Sequence, residues 1–240
     1  MDRRARKKAQ TRQQIREVAH RLFAANGFDA VTIADVAAEA DVAVQTVFNH
    51  FASKDELFFA DRAEWVDAAA AAVRSRADDV DPLVALRAHL MGTVHWYLRG
   101  LTDDAQMRAM IATLEASPAL VAYERELHHE SVRRLSEALI EASPEGNSAA
   151  TGAPPSIALR ASAKLTAAVW LAAIHALIIE QRAELTEAVG VVEAAAAIER
   201  LADQVLTQFA ASPGIVLCCP PVDGQRQHTQ SWPTDARRAV

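Results

Sequence analysis

The chain has 240 residues, of which 51% are hydrophobic and 23% charged, with eight glycines, nine prolines and two cysteines. That length suits a small head joined to a larger body, and the alanine-rich, glycine-poor composition favours helices over strands, so an all-α fold follows. The net charge of −6 argues against nucleic-acid binding only if it is evenly spread; residues 1–54 carry nine basic and six acidic side chains, leaving −9 for the remainder, and a basic segment on an acidic body suits a phosphate backbone.

The start MDRRARKKAQTRQQ has no apolar core of the kind a secretory leader needs, and a cytoplasmic location is expected. Ile15, Val18, Ala19, Leu22 and Phe23 share one helix face, and Asn26-Gly27 supplies a left-handed cap that ends the first helix. Thr32, with Asp35 three residues on, reads as a capping box for a short second helix whose apolar stripe is Ile33, Val36, Ala37 and Ala40. Asp41-Val42-Ala43 breaks the period before a third helix over 44–51, in which Val47, Phe48 and Phe51 are expected on one face. Ser53 and Glu56 form a second capping box that opens a long fourth helix through Leu57, Phe58 and Trp65 to about Ala77.

Asp81-Pro82 opens a fifth helix through Leu101, Asp103 a sixth and Ser117-Pro118 a seventh that carries Leu135 and Leu139. Residues 143–156, rich in Pro, Gly and Ser, read as a flexible surface loop. Two more helices follow, at about 157–184 and 188–211, and the expected total is about nine. The apolar run Leu165–Ile179 is shorter than the roughly 20 residues a membrane span needs, so no membrane contact is expected. After Ser212-Pro213 the periodicity stops, and 213–240 reads as a disordered tail in which the adjacent Cys218 and Cys219 are reduced thiols.

A short helix, a three-residue turn and a second short helix over 32–51 form a helix-turn-helix, the unit that places a recognition helix in the major groove. The stretch TIADVAAEADVAVQTVFNHFASKDEL, with its surroundings from about 12 to 60, resembles the N-terminal signature of the TetR family of bacterial repressors. Two departures stand out, Asp41 for the usual turn glycine and Ala43 for a common hydroxyl residue, and Phe48 stands where many members carry tyrosine. Asp tolerates left-handed geometry, so the turn is expected to survive.

The resemblance, together with helix geometry, assigns Val44, Gln45, Thr46 and Asn49 to base edges: the amides to adenine, Val44 and the Thr46 methyl to thymine methyls. Thr32, His50 and Lys54 are assigned to phosphates, and Arg3, Arg4, Arg6, Lys7 and Lys8 to phosphates or the minor groove. The expected organisation is therefore a basic arm and three-helix DNA-binding domain at 1–52, a helical effector-binding and dimerisation domain at 53–212, and the tail at 213–240.

The helix at 157–184 is apolar nearly all round and needs cover that few remaining helices supply. A second subunit, pairing it with the helix at 188–211, is the natural cover, and TetR-like proteins dimerise in this way. The interface candidates are Trp170, Ile174, Leu177, Ile178, Val192, Ile198 and Val205, although some of them could instead fill the subunit's own core. Met91, His95, Trp96, Tyr97, Met107 and Met110, with Trp170 and His175, are the candidates for an adaptable pocket, which the resemblance implies somewhere in the body. The partners expected are a palindromic operator in double-stranded DNA, a mostly apolar small-molecule effector and a second copy of the chain, with no cofactor.

An enzyme is the first rival, on the strength of His89, His95, His128, His129 and His175. The spacings give no metal or phosphate motif, and a six-residue separation puts His89 and His95 on different helix faces. Two further rivals are a transcriptional activator of the same family and a helical partner-binding protein whose N-terminal motif no longer reads DNA.

Overall fold

The structure, a computed structural model, describes residues 3–60, 63–147, 154–187 and 190–211. The tail from 213 on, with Cys218 and Cys219, lies outside the described residues, as does the middle of the 143–156 segment.

All regular structure among the described residues is helical. The first helix, α1, spans Arg3–Asn26, so the basic segment is a helix and not an extended arm. Its Arg, Lys, Ala and Gln residues are strong helix formers without a glycine or proline to stop them, and the helix ends where Gly27 takes a left-handed conformation with φ 81°. α2 covers Ile33–Glu39 behind the full Thr32–Asp35 capping box. α3 covers Val44–Phe48, and Asp41 holds the turn between them at φ 51°, the left-handed geometry that glycine usually supplies.

The expected fourth helix is found in two pieces, α4 (Lys54–Phe58) and α5 (Ala63–Arg74), because the helix closes at Phe59. Its capping box is also shifted: Ser53 Oγ accepts from Glu56 N, but the Glu56 carboxylate accepts from Ala52 N at 2.7 Å instead of from Ser53.

α6 (Pro82–Asp103) follows its Asp81 cap as expected; α7 (Ala105–Glu115) is capped by Asp104, one residue later than anticipated; α8 spans Pro118–Glu141. A single helical turn, α9 (Pro144–Asn147), opens the segment expected to be loop. The long helix of the C-terminal half is interrupted: α10 (Ile157–Ile174) passes into a π-helical turn over His175–Ile179, and α11 (Arg182–Glu187) continues beyond it. α12 covers Val191–Ala211. The two interruptions and the extra turn account for twelve α-helices among the described residues in place of nine.

Two apolar cores organise the molecule. The head core gathers Ile15, Val18 and Phe23 of α1, Val36, Val47, Phe51 and Leu57–Phe59, and reaches Leu114 of α7 and Leu120 of α8. The body core lies among α5, α6, α8, α10 and α12 around Leu86, Val94, Tyr97, Leu135 and Trp170. α7 and the start of α8 thus belong to both units, and the Ser117 hydroxyl donates to Asp29 of the head at 3.1 Å. The stretch Ile157–Leu185 contains an 18-residue window with a mean hydropathy of 1.7 and is by length and composition able to cross a bilayer. One side of it buries Ala163, Ala167, Trp170, Ile174 and Ile178 in the body core, and a third of that window is buried in all.

Candidate functional site

α3 stands at the surface of the head with its inner side fixed by Val47, which is fully buried. Val44 (41% exposed) and Gln45 and Asn49 (both exposed) project outward, and Thr46 is half-buried beside them. Gln45 Nε2 donates to Asn49 Oδ1 at 3.3 Å, so the two amides face the same way one turn apart. Phe48 does not join Val47 and Phe51 inside. It is 46% exposed and adds a large apolar group to this outer surface, because one residue along a helix turns the side chain by roughly 100°.

The proposed phosphate residues are placed unequally. The Thr32 hydroxyl accepts from Asp35 N and donates to Asp35 Oδ2 at 2.7 Å, so capping already engages both its roles. Lys54 sits half-buried with its ammonium 4.2 Å from the centre of the Phe28 ring, which holds it at the head's edge. His50 is half-buried, and its Nδ1 is buried without a hydrogen-bond partner. Burial first, then the nearby cations Lys8 and Arg12, push its pKa below the ordinary value.

Arg12 is the residue that sequence reasoning left out. Its guanidinium donates to the His50 carbonyl and stacks 4.2 Å from the Phe51 ring centre, tying α1 to the end of the recognition helix. Gln14 donates to the Ala40 carbonyl at 3.0 Å and Arg21 pairs with Glu39 at 2.8 Å, so three side chains of α1 brace the helix-turn-helix. A basic face on α1 at three- and four-residue spacing was the available signal. Arg3, Arg4, Arg6, Lys7 and Lys8 are all exposed on the first turns of the same helix. No acidic residue occupies its first turn, so cations oppose the helix dipole there and an external anion would relieve them.

In the body, the pocket candidates are not brought together. Trp96, Met107 and Met110 line one cavity of about 510 Å³ between head and body. Met91 and His95 lie on the side of α6 that faces α12, where His95 Nδ1 is 2.9 Å from Glu199. Tyr97 and Trp170 are buried in the core, Trp170 against Phe209, and His175 lies beside His128 and Glu180. Among these eight residues only Trp96 reaches the more apolar cavity of about 480 Å³ between α5, α6, α8 and α10. Ala68, Ala88 and Gly92 open that space, and His89, Thr93 and Ser131 are its polar groups. A cluster of small residues carries no apolar period, which is why this cavity escapes a search for Met and aromatic residues.

The interface candidates divide in the same way. Trp170, Ile174 and Ile178 are buried in the subunit's own core and cannot face a partner; Leu177, Ile198 and Val205 are half-buried, and Val192 is 64% exposed. The apolar side of α10 turned away from the core carries Ile157 and Leu165, both exposed, with Leu201 exposed on the neighbouring α12. The all-round apolar pattern concealed which side the core had already taken.

Burial lowers the pKa of His89; His128 is lowered by burial and then by His175 and His129. With His50 this makes three histidines whose charged form the fold disfavours. The unfolded chain, with histidines near 6.5, then binds more protons than the folded one, so stability is fully present above that value and is lost as pH falls through it. Urea midpoints are therefore expected to drop as the solution is acidified through the histidine range, with a shallower drop in His89→Gln. Equal slopes in wild type and variant would contradict the assignment to His89.

Residues 15–60 match the family profile described as bacterial regulatory proteins, tetR family. The chain is 34% identical over 123 residues to the HTH-type transcriptional regulator TcmR of Streptomyces glaucescens, an alignment that takes in 50% of this chain and 54% of that protein, so the chain spans about half the length of the curated relative it matches. Solved structures with a similar path include SmeT, the repressor of the Stenotrophomonas maltophilia multidrug efflux pump SmeDEF, at 18% identity and a TM-score of 0.47 over 86% of this chain and 93% of that one. Another is a TetR family member from Streptomyces coelicolor A3, at 22% identity and a TM-score of 0.45 over 83% and 97%. The matched span is the one that folds into the braced helix-turn-helix, and over residues 15–60 the chain carries the sequence pattern of the tetR family of bacterial regulatory proteins.

Proposed function

We propose that this protein is a cytoplasmic, sequence-specific DNA-binding transcriptional regulator, a repressor that leaves a palindromic operator when a mostly apolar small molecule occupies its body. The observation that carries the reading is α3: a helix pinned from beneath by Val47 and Arg12 while Val44, Gln45, Phe48 and Asn49 stand in solvent. Amide and methyl groups of that kind match adenine edges and thymine methyls in the major groove. Ala43 caps α3 without a side-chain hydrogen bond and Thr32 is engaged by Asp35, so Lys54, His50 and the start of α1 carry the backbone contacts. The basic residues enter this contact as a helix lying along phosphates, since threading the minor groove would require unwinding about two turns.

Deleting residues 3–8 tests that contact. The log–log slope of DNA affinity against salt is expected to flatten by roughly 0.9 for every phosphate contact removed, and an unchanged slope in filter binding would overturn the role of this segment.

A second copy of the chain is the partner that covers the exposed apolar side of α10 beside α12, which would set two recognition helices about one DNA turn (~34 Å) or more apart. Leu165→Glu with Leu201→Glu is expected to convert a dimer to a monomer in sedimentation at micromolar concentration. A wild-type monomer, or a variant that stays dimeric, would contradict the interface. For release, the effector must bind the DNA-incompetent arrangement more tightly than the competent one. The cavity of about 480 Å³ among α5, α6, α8 and α10 is its proposed seat, because it is apolar and lies on the helices that lead from the head.

A further inference from the structure

The body cavity and the cavity between head and body share a wall. Trp65 of α5 and Trp96 of α6 line both, and their rings meet edge to face at 5.0 Å and 85°. Unlike Trp170, which is sealed in the core, they are 38% and 52% exposed, so each ring keeps an open side toward which it can turn. On the far side of the junction cavity stand Arg16 and His20 of α1 and Phe58 of α4. His20 Nε2 is 3.1 Å from the Phe58 carbonyl, and the Phe58 ring packs against Phe23 and Phe28 in the head core. The junction cavity, at about 510 Å³, has room for a displaced indole.

The body cavity has a definite chemistry as well. None of its lining residues carries a formal charge apart from what His89 can acquire, and burial disfavours that. Thr93 donates its hydroxyl proton to the His89 carbonyl and Ser131 donates to the Leu127 carbonyl, both at 3.1 Å, which leaves the two oxygens to the cavity as acceptors. Gly92 lies mid-helix, where glycine is less favourable than alanine, and a Cβ built there would meet nothing within 4 Å.

We infer that the effector is an uncharged aromatic molecule bearing a hydrogen-bond donor, and that the Trp65–Trp96 pair is the movable partition through which its arrival reaches the head. The inference rests on the effector reading above. A ring system entering beside Trp96 pushes the pair toward the junction, where the first groups it meets are His20 and Phe58, the link between α1 and α4.

N-phenyl-1-naphthylamine, a neutral fluorophore with two ring systems and one N–H, is a suitable test ligand for the full chain. Its binding is read by fluorescence, and the response of the head by hydrogen exchange of the amides at 16–20 and 54–58. Saturating fluorophore is expected to change exchange in both segments by at least about threefold in wild type. Because both rings line the cavity, Trp96→Ala and, independently, Trp65→Ala are expected to weaken fluorophore affinity, and to lose the exchange response even when the fluorophore is raised until each variant is saturated. Gly92→Leu, which fills the cavity, is expected to lose binding.

An exchange response that persists in both tryptophan variants overturns the partition and leaves the effector cavity standing. The partition also falls if wild type binds without any response, or if both variants lose binding, since the pair is then no more than a ligand contact. Absence of binding to wild type, or binding that Gly92→Leu does not reduce, overturns the effector cavity itself and this inference with it.

Discussion

Arg182→Met is expected to lower the folding free energy by about 3 kcal/mol, measured as a shifted urea midpoint with an unchanged slope. The Arg182 side chain is 6% exposed; its Nε lies 2.8 Å from Glu115 and its Nη1 2.8 and 2.9 Å from the two Glu124 oxygens. Burial alone would lower the pKa of the guanidinium, but Glu124 and Glu115 outweigh it and the group is held more firmly charged than usual. Removing the cation leaves two carboxylates facing each other in partly desolvated positions, which is costlier than losing a surface pair. Glu115→Gln is the milder counterpart, because Glu115 is the more exposed carboxylate and Glu124 keeps its bidentate partner. A loss below about 1 kcal/mol for Arg182→Met would show that the carboxylates rehydrate freely and that this triad does not hold α7, α8 and α11 together.

Gln45→Ala and Asn49→Ala are each expected to reduce operator affinity by about 1–3 kcal/mol, or roughly 5- to 150-fold, while affinity for random duplex stays unchanged. In the free protein the two amides satisfy each other, so reading DNA means exchanging that bond for base edges. Removing one amide also frees the other, and the double variant should therefore lose less than the two single losses combined. Equal weakening on operator and random DNA would make these residues general surface contacts and would leave Val44 and Phe48 as the specific readers.

Much of this was legible in the residues themselves. The capping residue Thr32, the proline-led α6 and the turn at Asp41 are local events, set by a few neighbouring side chains, and they stand where the sequence places them. The start of α1 differs for another reason: the face of Ile15, Val18, Ala19, Leu22 and Phe23 marks the helix, but the basic residues ahead of it repel one another and have no apolar face, which made an arm the simpler reading. Periodicity shows that a helix is apolar without showing which side the core takes. Trp170 and Ile178 therefore looked available to a partner and are internal, while Leu165 and Leu201 are outside.

The body cavity was illegible because it is defined by what is small. Ala68, Ala88 and Gly92 mark it only once four helices are assembled around them. The π-helical turn at His175–Ile179 likewise contains no glycine or proline that would mark it in the sequence. Arg12 shows the limit of motif matching at the other end of the chain: it sits ahead of the helix-turn-helix in sequence and against the end of its recognition helix in space.

Whether α3 reads a palindromic operator is decided by selecting bound sequences from a random duplex pool with the full-length protein. Wild type is expected to enrich a palindrome whose half-sites are about one helical turn or more apart, and the Gln45→Ala, Asn49→Ala double variant is expected to lose that enrichment. A pool that stays random after selection with wild type, or the same palindrome recovered by the double variant, would contradict it.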